Sequence, residues 1–212
     1  MYLPPSFEES RPEVLRDLMT RHPLATVVTL GADGLDANHL PLLYQAAPAP
    51  HGTLVGHVSR ANRVWRDARL DVDALAIFHG PQGYITPAWY PSKADTGKVV
   101  PTWNYIVVHA YGRLRFLDDP TWLRNHVDAL TATHEAAQTA PWSVSDAPSD
   151  YIDSLIKGIV GFELTVTRLL GKWKLNQNKT DAERGGLVRA MREQNDADTT
   201  TMAELIERAK ER

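Results

Sequence analysis

"LATVVTLGADGLDANHLPLLY", residues 24–44, decides what kind of fold this chain can have. Two short runs rich in β-branched and apolar residues flank "GADG" (31–34), a turn with glycine at both ends. Runs of that length around such a turn read as a β-hairpin, and a hairpin makes antiparallel neighbours. Upstream, a helix ends near Arg21, because His22-Pro23 turns the backbone out of the α region. Downstream, "TLVGHV" (53–58), "VDALAIFHG" (72–80), "WNYIVVHAYGRLRFL" (103–117) and "IVGFELTVTRLLGKWKLNQ" (159–177) read as further strands. Between them, Ala61, Val64, Trp65 and Ala68 fall at i, i+3, i+4 and i+7, which predicts an amphipathic helix over 59–70 capped by Ser59. Asp119 and Pro120 open another, as cap and first helical residue.

Strands and helices do not alternate regularly, so a doubly wound parallel sheet is excluded. The expected fold is mainly β with peripheral helices: six or so mostly antiparallel strands in a small barrel. The segment from 179 onward changes character to polar and helical. The chain therefore divides into a barrel domain over 1–178 and a helical extension over 179–212. In that extension Thr201 and Glu204 form a capping-box pair. A helix beginning there would leave "NDADTTT" (195–201) as a connection longer than that of a DNA-binding helix-turn-helix.

Composition narrows the chemistry. There is no cysteine among 212 residues, which excludes disulfides, thiolate metal ligands and thiol nucleophiles. A net charge of −3 opposes broad electrostatic affinity for nucleic acid. No run is apolar enough to span a bilayer, and the start lacks a secretory pattern, so the expected location is cytoplasmic. His39, His57, His79 and His109 lie on four candidate strands without ligand-motif spacing, and no metal site is expected. There is also no nucleophile elbow and no dinucleotide fingerprint.

Two places stand out. At "HVSRAN" (57–62) a strand meets a predicted helix, where unpaired N–H groups with Ser59, Arg60 and Asn62 would suit a phosphate. The plainer reading is a capped helix with its arginines in water. In "GPQGYITPAWYPSKADTGKVVPTWNY" (80–105), Tyr84, Trp89, Tyr90, Trp103 and Tyr105 crowd a segment broken by proline and glycine. They either pack into the core or wall a pocket for a planar ring.

The blocks "MYLPPSF", "GHVSRAN", "GPQGYITPAWY", "VPTWNY" and "WKLNQNK" occur in an order that resembles the PaiB-type FMN-binding negative transcriptional regulators. These are similar to the pyridoxamine-phosphate-oxidase-like split barrels. The resemblance runs from Tyr2 to about Lys179. It implies an FMN-binding split β-barrel working as a homodimer, with FMN at the subunit interface. By position, Asn38, His39 and Leu40 would lie along the flavin ring, while His57, Ser59, Arg60 and Asn62 would hold the phosphate. Trp103 and Asn104 would approach from a neighbouring strand, and Lys174, Gln177 and Asn178 would close the site. Tyr84 and Trp89 would border a ligand pocket beside the flavin. The implied function is negative transcriptional regulation or redox and ligand sensing. The alternative is a flavin-dependent oxidoreductase acting on a small planar substrate. Direct DNA binding is left open by the residues themselves.

Overall fold

The computed structural model describes residues 1–194 and 196–209, with the side chain of residue 197 outside the description. In chain order the elements begin with β1 (Glu8–Glu9), α1 (Pro12–Arg21), β2 (Leu24–Gly31), β3 (Gly34–Pro41) and β4 (Leu43–Gln45). They continue with β5 (Thr53–Ser59), α2 (Val64–Asp67), β6 (Ala74–Ile85), α3 (Ser92–Thr96) and β7 (Thr102–Leu117). The last are α4 (Pro120–Glu135), α5 (Ser149–Ile156), β8 (Ile159–Lys174), α6 (Asp181–Glu193) and α7 (Ala197–Arg208). The mainly β class with peripheral helices is therefore as expected. Among the described residues there are eight strands where six or so were anticipated, because the run over 35–44 is split into β3 and β4 and the two-residue β1 is too short to show a period. No helix among the described residues is long and apolar enough to cross a membrane.

Two compact units divide the described residues. One unit contains residues 19–78 and 109–169. Its strands follow the order β3-β2-β6-β7-β8-β5-β4. The β2–β3 hairpin is antiparallel from Leu24↔Pro41 to Gly31↔Gly34, with Gly34 at φ 109° closing the turn, a conformation glycine adopts without steric cost. β5 pairs antiparallel with β8, from Thr53↔Thr165 to Ser59↔Ile159. In β2, Ala25, Val27 and Thr29 are buried in alternation, as the two-residue period requires, whereas Thr53, Leu54, Val55 and Gly56 of β5 are buried in succession.

The other unit contains residues 1–18, 79–108 and the segment from 170 onward. Here α6 and α7 form a hairpin that buries Leu187, Val188 and Met191 with Met202, Ala203 and Ile206. This hairpin packs on the aromatic segment. The backbone N–H of Ser92 donates to Glu183 Oε1 at 3.0 Å. A Cβ on Gly186 would lie 2.6 Å from the Pro91 ring, so only glycine permits the contact.

The connection between α6 and α7 is residues 194–196, not the seven-residue stretch anticipated. Asp196 takes the cap, accepting from Thr199 N–H at 3.0 Å, and its carbonyl accepts the Thr199 and Thr200 hydroxyls. The threonines thus enter the helix early, and Thr201 does not begin it. Asn195 of that stretch and residues 210–212 of the anticipated extension lie outside the described residues.

Candidate functional site

The turn after β5 departs most from expectation. Instead of a helix over 59–70, only Val64–Asp67 is helical. Ser59 Oγ accepts from Ala61 N–H at 3.3 Å, and Asn62 Oδ1 accepts from Val64 N–H at 2.9 Å. These side chains bond the backbone locally and compete with helical pairing. Arg60 N–H donates to Gly158 carbonyl and Asn62 N–H to Ser59 carbonyl. The turn therefore offers no row of unpaired N–H groups, which corrects the helix-terminus reading of 57–62.

Arg60 is committed as well. Its guanidinium grips Asp118 bidentately, with Nη1 to Oδ2 at 2.8 Å, and also donates to the carbonyls of Lys157 and Ile159 at 2.7 and 3.1 Å. Four of its five N–H donors are engaged. The hydrogen bond from Arg60 holds the Asp118 carboxyl below its ordinary range. Neither Asp118 nor its role was visible in the sequence. The one signal is that Asp119 alone satisfies the α4 cap, accepting from Thr121 and Trp122 N–H, which leaves its neighbour free for another partner.

Asn38 and Asn62 are brought together. Asn62 Nδ2 donates to Asn38 Oδ1 at 2.6 Å, and Asn38 Nδ2 donates to Asp36 Oδ2 at 2.9 Å. Both line a groove of about 800 Å³ between the β2–β3 hairpin and α2, together with Thr29, Asp36, Arg63 and Arg66. His39, Leu40, His57, Ser59 and Arg60 do not line it. His39 instead meets the Thr26 hydroxyl at 3.1 Å on the exposed face of the hairpin.

His57 Nδ1 lies 3.1 Å from His126 Nε2. Trp122 stacks on His126, with ring centroids 5.2 Å apart and planes 16° apart. Trp122 can lie flat there because β8 has Gly161, whose Cβ would come within 2.2 Å of the indole. Burial depresses the His57 pKa. Burial, helped by His57, pushes His126 down to about 4. His126 Nδ1 is buried with no hydrogen-bond partner. Sequence reasoning missed His126 and Trp122, which lie more than 60 residues from His57.

The second unit gathers another group. Lys174 Nζ donates to Thr102 Oγ1 at 2.6 Å and to Trp103 carbonyl at 2.8 Å, and burial lowers its pKa. Tyr84 and Trp103 form an edge-to-face pair 5.8 Å apart, about half exposed at 48% and 54%. Trp89 is half-buried in a 3-10 turn (Pro87–Trp89). Tyr90 belongs to the core and its hydroxyl accepts from Asn176 Nδ2 at 2.6 Å. Gln177 is spent locally, accepting from Leu175 N–H and donating to Trp173 carbonyl. Asn178 is exposed in the following turn. Asn104 is wholly buried, yet neither its Oδ1 nor its Nδ2 has a partner. An amide in that condition costs about 1–3 kcal/mol, so this position calls for a ligand or water.

These residues bear on flavin nucleotide binding in different ways. The groove has a volume typical of ligand sites, with amide and carboxylate groups suited to hydroxyls and arginines suited to phosphate. At the turn Ser59–Asn62 the backbone N–H groups of Arg60, Ala61 and Asn62 are paired within the chain, and one Arg60 N–H donor is left over. Among the described residues, no group of three or more His, Asp or Glu is placed to hold a metal.

Comparison with known proteins agrees with the fold. The family described as "Putative FMN-binding domain" matches residues 1–168. The Bacillus subtilis protein named protease synthase and sporulation protein PAI 2 is 29% identical, over 98% of this chain and 97% of its own length. An uncharacterized protein of Emericella nidulans is 31% identical over 89% of each. Among solved structures, the FAD and heme binding protein from Mycobacterium smegmatis superposes with a TM-score of 0.56 at 16% identity, covering 79% of this chain and 73% of that one. A flavocytochrome from Azotobacter vinelandii gives 0.53, also at 16% identity, covering 79% and 69%. At that identity these two speak for the split-barrel fold alone. The chain belongs to the FMN-binding domain family, with FMN as its cofactor.

Proposed function

We infer that this protein is an FMN-binding homodimer of the cytoplasm that acts as a negative transcriptional regulator or as a redox or ligand sensor feeding such regulation. The observation that carries the reading is the end-to-end similarity to the Bacillus subtilis protein, whose name ties it to protease synthesis and sporulation. FMN, when bound, supplies one- and two-electron redox chemistry, and this chain's residues hold and orient it. Regulation by direct reading of a DNA groove gains little support from the tail. The exposed positions of α7 include Asp198, Glu204 and Glu207 against Arg208, and an acidic helix is repelled by phosphates.

The second reading, a flavin-dependent oxidoreductase, is favoured by the half-exposed Tyr84–Trp103 pair in the same unit as Lys174. That surface suits a small planar ligand. Absorbance of the freshly purified protein in the blue, its mass in solution, and NAD(P)H consumption separate the two. A yellow dimer without turnover is the expected result. Sustained turnover would replace the regulator by the enzyme, and a colourless protein unable to take up FMN would remove both.

A further inference from the structure

Trp122, His126 and Ala129 fall at i, i+4 and i+7 along α4, so they share one face of the helix. Leu43 of β4 and Val55 of β5 are direct antiparallel partners and therefore point to the same side of the sheet. Between that helical face and the two strands a cavity of about 110 Å³ remains, lined by these five residues with Gln45 and Asn125. Gln45, Asn125 and Ala129 are exposed, so the cavity opens to solvent on their side.

The wall limits what the cavity can hold. None of the seven lining side chains carries a carboxylate, ammonium or guanidinium group. Burial holds the His126 pKa at about 4, so this ring too is uncharged at neutral pH. A charged molecule would lose its hydration there and gain no counter-charge. One hydrogen bond is also unmet. His126 Nε2 is taken by His57, and Nδ1 is the one buried polar atom of the lining side chains with no partner among the described residues. If His57 donates the hydrogen they share, His126 Nδ1 is left as a donor; if His126 donates it, Nδ1 is left as an acceptor. A hydroxyl group answers both cases, whereas a carbonyl or an ether answers only the first. The rest of the wall is the indole of Trp122 with Leu43, Val55 and Ala129. An apolar cavity of about 150 Å³ takes benzene, and this one, open at its rim, is of that order.

We propose that the cavity between α4 and the β4–β5 pair binds a neutral molecule the size of phenol, with its hydroxyl on His126 Nδ1 and its ring against Trp122, Leu43 and Val55. Occupancy requires no flavin and involves no residue of the Ser59–Asn62 turn.

Phenol and toluene, alike in shape but for the hydroxyl, are the probes. Calorimetric titration of the protein as purified is expected to show phenol binding about tenfold more tightly than toluene, the factor that one hydrogen bond supplies. A129L narrows the cavity from the exposed side of α4. It is expected to abolish phenol binding and to leave the Tm of the unliganded protein unchanged. H126F keeps a ring in place without Nδ1 and is expected to bind phenol no better than toluene. Should H126F fail to fold, nitrogen NMR of the native chain takes its place: phenol, and not toluene, is expected to shift the His126 Nδ1 resonance. Equal binding of the two probes by the native chain, or an Nδ1 resonance indifferent to phenol, overturns the role given to His126. Phenol binding that survives A129L puts the ligand elsewhere, and no phenol binding at millimolar concentration removes the site.

Discussion

The imidazoles of His57 and His126 meet at 3.1 Å, one on β5 and the other on α4, and their Nδ1 and Nε2 atoms share a single hydrogen. At least one of the two rings must be neutral for this bond, since an imidazolium presents only donors. His126 is 5% exposed and, among the described residues, no carboxylate is hydrogen-bonded to either ring to compensate a second proton.

Acid should therefore weaken the fold through this pair. The His126 pKa is held at about 4 in the folded protein, against an ordinary value of 6.5. Between those values the unfolded chain binds more protons, so stability falls as pH drops from about 6.5 toward 4. The loss is of the order of 2–3 kcal/mol for a shift of this size. Denaturant midpoints measured from pH 7 to 4 should show the decline, and H126F should flatten it. An unchanged slope in H126F would assign the acid sensitivity to other groups.

Gly161→Ala tests how α4 is seated. The added Cβ would strike the Trp122 indole at 2.2 Å, which also donates to Glu163 Oε1 at 3.3 Å. Relief requires the ring to move off His126, at a cost of about 1–3 kcal/mol. A lower Tm together with a shift in tryptophan emission is the expected result.

Asn104→Leu should act in opposite directions on stability and on binding. Removing a buried amide that has no partner is expected to leave the flavin-free protein as stable or up to about 1 kcal/mol more so. FMN affinity should fall. A decrease in the Tm of the flavin-free variant would mean that the amide is paired by water in the free protein.

Gly186→Val bears on the hairpin. The branched side chain would overlap the Pro91 ring, already 2.6 Å from an added Cβ, and would raise α6 from the aromatic segment. Limited proteolysis should then cut between residues 91 and 101 faster than in the native chain, while the circular dichroism of the β structure is preserved.

Much of this could be read from residues alone, for identifiable reasons. The β2–β3 hairpin was legible because "GADG" and its flanking strands agree on one structure, and α4 because Asp119-Pro120 marks its start. The helix over 59–70 was misread because its apolar spacing was right while Ser59 and Asn62 drew the backbone into local bonds. The α7 start was misread because two caps competed, and Asp196 captured the threonine run before Thr201 could act. Asn38 and Asn62, which the resemblance set at the flavin ring and at the phosphate respectively, meet because the hairpin and the turn after β5 bring them together. Asp118 and His126 were invisible, because their partners Arg60 and His57 are 58 and 69 positions away and no local pattern records such a distance.

The Arg60 guanidinium fastens three chain reversals at one point: the turn after β5, the passage from β7 to α4 through Asp118, and the passage from α5 to β8 through Lys157 and Ile159. None of the three can loosen without releasing the others. Local opening at this corner is thus a concerted event, and amide protons along all three reversals should exchange with solvent at a common rate.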